Sequence, residues 1–145
     1  MRRLVSAVRA RLARRDEGGT ATVFVVGFAV VLLACAGLVI DGGNAINARM
    51  KLADDVEQAA RAGAQEIDIE ALRSSDVVRL DGRAAEARAR GYLNALGYGR
   101  VTIPAVTGDS ITVHAEDVTT TKLLSLIGVD DFDIAATATA QAVTQ

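Results

Sequence analysis

Residues Gly18–Ile40, GGTATVFVVGFAVVLLACAGLVI, run for twenty-three positions without a charge, directly behind a leader that holds six arginines. An uncharged apolar stretch of about 18 residues or more is long enough to cross a bilayer as a helix. At the helical rise this run covers roughly 34 Å, against a hydrocarbon core of about 30 Å. It stops at Asp41 and passes into DGGNAINARMKLADDVEQAARAGAQEID, which keeps a helical rhythm well beyond the apolar part. The chain therefore divides into a basic cytoplasmic leader at 1–17, a transmembrane helix at 18–40 and an extracytoplasmic α+β domain at 41–145.

Charge gives the orientation. The leader sets six arginines against Asp16 and Glu17, a balance of +4, and residues 41–145 hold ten basic and sixteen acidic groups, a balance of −6. Within twenty residues after the span only Arg49 and Lys51 are basic. Lysine and arginine concentrate on the cytoplasmic side of a span, so the N-terminus is expected in the cytoplasm and the C-terminal domain outside. The same arginines suit anionic headgroups, and Ser6, Val8, Arg9, Leu12 and Ala13 outline a short interfacial helix. An acidic exterior argues against nucleic acid as a partner, because phosphates need a basic face. Hydrophobic residues make up 50% of the chain but aromatics only 3%. The core is therefore expected to be thin and alanine-rich, with no deep pocket for a small-molecule substrate.

Cys35 is the single cysteine, so no intrachain disulfide forms. Two processing signals compete with a retained span. A cleaved signal peptide has an apolar region of about 7–15 residues, shorter than this run. Leu32-Leu33-Ala34-Cys35 has the outline of a lipobox, with Cys35 as the lipidated position, but the polar tether that normally follows is replaced by AGLVI. Cys35 reads instead as a small apolar residue facing lipid or a helix.

Beyond the span, Ile46, Met50, Ala53, Val56, Ala60, Gly63 and Ile67 recur every three or four residues and mark one face of a helix over 44–67. Glu57 and Arg61 support it as an i,i+4 pair. The small neighbours Ala59, Ala62 and Ala64 allow close packing on the protein's own sheet, the alternative being a partner helix. Asp41-Gly42-Gly43 interrupts this rhythm where the chain should leave the hydrocarbon. That predicts a hinge there. Asp41 is expected to be solvated at the interface, with a buried ion pair as its alternative.

Ser74-Ser75-Asp76 reads as a loop. Asp81 caps a second helix with a stripe of Ala85, Ala89, Tyr92, Leu93 and Leu96 and a Glu86–Arg90 pair, ended by Gly97. The period then changes to two. Val101, Ile103 and Ala105 form one strand; Ile111, Val113 and Ala115 form the next, with a turn at Thr107-Gly108-Asp109 between them. Pro104 places the first strand at an edge. Thr119 to Ile127 fits one short helix. Phe132, Ile134, Ala136, Ala138, Ala140 and Ala142 line one face of a final strand, and alanines on that face require a helix close by. The fold class is thus α+β: a long N-terminal helix, transmembrane then amphipathic, a second helix, and a small three-stranded, mostly antiparallel sheet with a short inserted helix.

No catalytic or metal-binding pattern accompanies this architecture. His114 falls on a polar strand face, and the acidic clusters Asp54-Asp55, Glu116-Asp117 and Asp130-Asp131-Asp133 lack the glycine-bearing loop of a calcium site. No enzyme activity and no cofactor are expected.

The stretch from Gly19 through AGLVIDGGNAINARMKLADDVEQAARAGAQEID resembles the TadE/TadG-like proteins of Flp (tight-adherence) pilus assembly systems, in their actinobacterial form. SITVHAEDVTTTKLLSLIGVDDFDIAATATAQAV resembles the C-terminal half of the same family. The resemblance implies a pilin-like fold and a structural part in assembling a pilus or related secretion apparatus used in adhesion. Its implied partners are membrane lipid and other pilus-assembly or pilin-like proteins, through helix packing, with self-association included. Gly27, Ala29, Ala34 and Gly37 in the span, with Val25, are the candidates for lateral contacts. Ile46, Met50, Ala53, Val56, Ala60 and Gly63 are the candidates outside it. Prepilins are cleaved after a glycine that precedes the apolar helix, with a glutamate five residues later. Gly18 or Gly19 occupies the glycine's place, but the fifth residue is then Val23 or Phe24. The missing glutamate points to the TadG-like branch of assembly factors, with a processed minor pilin or a Cys35-lipidated surface binding module as the alternatives.

Overall fold

A computed structural model describes residues 2–75 and 77–142, with side chains from Gly19 onward. Three helices, α1 (Arg2–Ala64), α2 (Ile69–Ser75) and α3 (Gly82–Ala95), precede three strands, β1 (Arg100–Val106), β2 (Ser110–Thr120) and β3 (Asp131–Gln141). A short 3-10 turn, Leu124–Ile127, connects β2 to β3. The sheet is an antiparallel meander in the order β1-β2-β3.

The helix α1 passes through Asp41-Gly42-Gly43 without a break, where a hinge was expected. Each glycine costs about 1 kcal/mol relative to alanine. Long helical segments on both sides have already met the nucleation cost, so propagation carries the helix across. It then ends at Ala64, earlier than the 44–67 span expected. Ile67 lies beyond it in an isolated antiparallel bridge with Leu80. The turn is held by Asp68 N–H on the Arg79 carbonyl (2.8 Å) and Asp81 N–H on the Glu66 carbonyl (2.9 Å).

Helix α2 was not anticipated from the sequence. Asp68 Oδ1 accepts from Ala71 N–H at 3.0 Å and starts it. Ser74 and Ser75, expected in a loop, close it by donating to the Glu70 and Ala71 carbonyls at 2.7 Å each. Asp76, the third residue of that expected loop, lies outside the described residues.

Helix α3 begins as expected. Asp81 Oδ1 accepts from Arg83 and Ala84 N–H at 3.1 Å each, and Gly97 ends the helix with φ of 96°. Ala85, Ala89 and Leu93 are buried, but Tyr92 and Leu96 face solvent. Arg90 does not pair with Glu86; its guanidinium donates to the Val101 carbonyl at 2.7 Å and ties α3 to β1.

Helices α1 and α3 cover the same face of the sheet, α1 over β2 and β3 and α3 over β1. Ile111, Val113 and Ala115 of β2 are fully buried there, and opposite them Ala140, Ala138 and Ala136 of β3 pack against the same core. Leu52, Val56, Ala59 and Ala60 of α1 fill the centre. Gly63 marks the closest approach, since a Cβ there would lie 2.9 Å from the Ala85 carbonyl oxygen and 3.0 Å from Ile111 Cδ1. The register of β1 shifts between Thr102 and Ala105, around Pro104, and β1 is an edge strand as expected. Instead of one helix over 119–127, β2 runs on to Thr120 and only Leu124–Ile127 turns. The threonines of 119–120 favour the strand.

Candidate functional site

The seam between the apolar run and the outer helix is where distant parts of the chain converge. Asp41, in the turn of α1 that follows the run, is 2% exposed. Its Oδ1 accepts from Lys122 N–H at 2.9 Å. Its Oδ2 accepts from Leu123 N–H at 2.8 Å and Leu124 N–H at 2.7 Å. One carboxylate thus satisfies the amide groups that open the 3-10 turn, groups that a helical start leaves without partners. Burial acts to raise the Asp41 pKa, but the three backbone donors and the Lys122 charge outweigh it and hold the carboxyl below its ordinary value.

One turn lower on α1, Gly37 is buried against the same segment. A Cβ at Gly37 would lie 3.0 Å from Leu124 Cδ2 and 3.2 Å from Leu123 Cβ. Glycine lets the segment lie flat on the helix. The loop is closed internally as well. Thr121 N–H donates to the Asp130 carbonyl (2.9 Å), Val129 N–H to the Leu124 carbonyl (3.1 Å), and the Thr121 hydroxyl to the Val129 carbonyl. Gly128 takes a left-handed φ of 87°, which a side chain would resist.

The expectation of a solvated Asp41 is therefore overturned, and the ion-pair alternative is replaced by backbone capping. Lys122 contributes charge and one amide. Nothing in the sequence connects Asp41 to these amides, because they lie 81 to 83 positions along the chain. The acid at the end of an apolar run was the one available signal.

The other proposed residues fall into separate groups. Gly19 and Gly27 have open space around them, Ala29 and Cys35 are exposed, and Ala34 is half-buried. The surroundings of Gly18 lie outside the described residues. Val56, Ala60 and Gly63 are buried in the core, whereas Ile46 (63% exposed), Met50 (61%) and Ala53 stand on another face of α1. The helical stripe read from the sequence divides because the true buried line runs through Ala48, Leu52, Val56, Ala59 and Gly63.

His114 contacts the Thr137 hydroxyl at 2.8 Å on the open sheet face, beside a Thr112–Thr139 hydroxyl pair. Asp55 accepts from the Tyr98 hydroxyl at 2.7 Å; burial and this carboxylate push the Tyr98 pKa up to about 12. Among the described residues no group of three or more histidine, cysteine or acidic side chains could hold a metal ion.

The helix that carries the seam is, by length and composition, apolar enough to cross a membrane. Residues 18–66 match the family model of putative Flp pilus-assembly TadE/G-like proteins. The matched segment takes in the whole apolar run, Asp41 and the buried line of α1, and ends two residues beyond the helix. The resemblance of residues 110–143 lies outside that match. No curated protein and no solved structure matches the chain.

Proposed function

We propose that this protein is a single-pass component of the cytoplasmic membrane, with its N-terminus in the cytoplasm and its α+β domain outside. Its role is structural, in assembling or anchoring a Tad/Flp-type pilus or a related secretion apparatus. The observation that carries this reading is the TadE/G-like match over the one helix that is both apolar span and packing scaffold. The leader arginines supply the orientation. The span holds the molecule in lipid, and the outer domain presents a rigid helix on which other pilin-like proteins or a second copy can pack. Gly27 and Ala29 offer close approach within the membrane. Ile46, Met50 and Ala53 offer an apolar strip outside it.

Deleting the gene in a host that makes such pili is expected to abolish pili or adhesion; normal piliation would count heavily against the reading. The N-terminal mass of the membrane-extracted protein separates the remaining possibilities. A start at residue 1 or 2 supports the assembly factor. A start at residue 19 or 20 supports a processed minor pilin, and a diacylated start at Cys35 supports a lipoprotein.

A further inference from the structure

We infer that the turn between β2 and β3 is itself a membrane-seated element, inserted into the outer leaflet beside the span. This rests on the proposal that residues 18–40 cross the bilayer with the domain outside. The backbone of Lys122–Leu124 is bonded to Asp41, and Leu123 and Leu124 lie against Gly37. Gly37 is three residues inside the apolar run, about 4.5 Å below its end. A segment packed flat on that turn of the helix shares its depth. With the run in hydrocarbon, the turn enters the boundary of the same layer.

The side chains suit that position. Leu126 is 78% exposed and Ile127 56%, and Val129, which follows the turn, is partly exposed as well. These residues project from the membrane-proximal end of the sheet, and no element among the described residues covers them. Lipid is the occupant continuous with the span they adjoin, and burying them there is favoured in proportion to their apolar area.

The backbone suits it too. Amide groups entering hydrocarbon must be satisfied within the protein. Here Asp41 takes Lys122, Leu123 and Leu124, while Leu126, Gly128 and Val129 donate to the Leu123, Ser125 and Leu124 carbonyls. Charges flank the turn and limit its depth. Asp130 and Asp131 follow it into β3, and exposed Lys122 precedes it with an apolar stem that can lie along the interface. The contact is with acyl chains and does not depend on anionic headgroups, which the neighbouring aspartates would repel.

The chain contains no tryptophan, so single substitutions report cleanly. The full-length protein carrying Leu126→Trp, Val31→Trp or Arg88→Trp is reconstituted into phosphatidylcholine vesicles with brominated acyl chains. Leu126→Trp and Val31→Trp are both expected to be blue-shifted and quenched by bromine, while Arg88→Trp, on the exposed side of α3, is not. Ile127→Trp should repeat the Leu126→Trp result and guards against misfolding of one variant. Quenching at Val31 without quenching at either turn position overturns the inference and leaves the span intact. A blue shift at the turn without bromine quenching overturns it in favour of a protein partner. Loss of quenching at Val31 as well removes the span reading and this inference together.

Discussion

Along residues 19–33 every side chain of α1 is exposed, whereas from Leu52 to Ala64 one face of the same helix is enclosed by α3 and the sheet. The bare part carries phenylalanine, valine and leucine; the enclosed part is mostly alanine, glycine and small aliphatics. Large apolar side chains outside and small ones inside invert the usual distribution in a water-soluble protein. The inversion follows if the two regions meet different solvents. A lipid surrounding would accept bulk on the lower part, while the upper part must let a sheet and a helix approach its backbone.

Variants that exchange the demands of the two regions should break this contrast. The largest effect is expected from Leu93→Ala, which empties a fully buried site between α3 and α1. It should destabilise the outer domain by about 2–5 kcal/mol, read as a lower midpoint in denaturant unfolding. Val30→Ala in the bare region should leave that midpoint in place. Gly63→Val tests close approach in the opposite sense, because its added atoms meet the Ala85 backbone. A loss of about 1–3 kcal/mol is expected; an unchanged midpoint would show that α1 and α3 can separate at no cost.

Asp41→Asn probes the boundary between the regions. An amide retains one acceptor oxygen where the carboxylate uses two, so hydrogen exchange at Lys122, Leu123 and Leu124 should quicken while the core amides stay protected. The pH dependence follows from the same bonds. Because the folded state lowers the Asp41 pKa, its stabilisation is fully present above the ordinary carboxylate value of 3.8 and is lost as pH falls through the lower, folded value. The amide resonances of Lys122–Leu124 should stay flat from neutral pH down to that region and move below it. Movement near neutral pH would show that the carboxylate is not held in this way. The smallest effect belongs to Met50→Ser on the exposed strip, within about 0.5 kcal/mol for the isolated chain. A loss of co-purifying partners in that variant, with stability unchanged, would mark the strip as a contact surface.

The sequence reveals the parts whose signals are local. Asp81 and Gly97 bound α3 because capping is decided within a few residues, and alternation over 111–115 and 132–142 gives β2 and β3 because strand pleating has a period of two. The alanine face of β3 even discloses a helix above it. What stays hidden depends on partners far along the chain. The buried line of α1 could not be chosen among so many alanines, since an alanine-rich helix has nearly equivalent faces. Arg90 finds a strand carbonyl instead of the nearby Glu86. Asp41 is claimed by amides that no local pattern connects to it.

The Asp41 contact has a mechanical consequence. The outer domain grips α1 near Gly63 and again, through Leu123 and Leu124, near Asp41 and Gly37, about 33–39 Å away along the axis. A collar fixed at two heights cannot swivel on its shaft. Any rotation imposed on residues 19–40 therefore turns the sheet through the same angle, and the threonine-lined face with His114 points wherever the lower helix directs it.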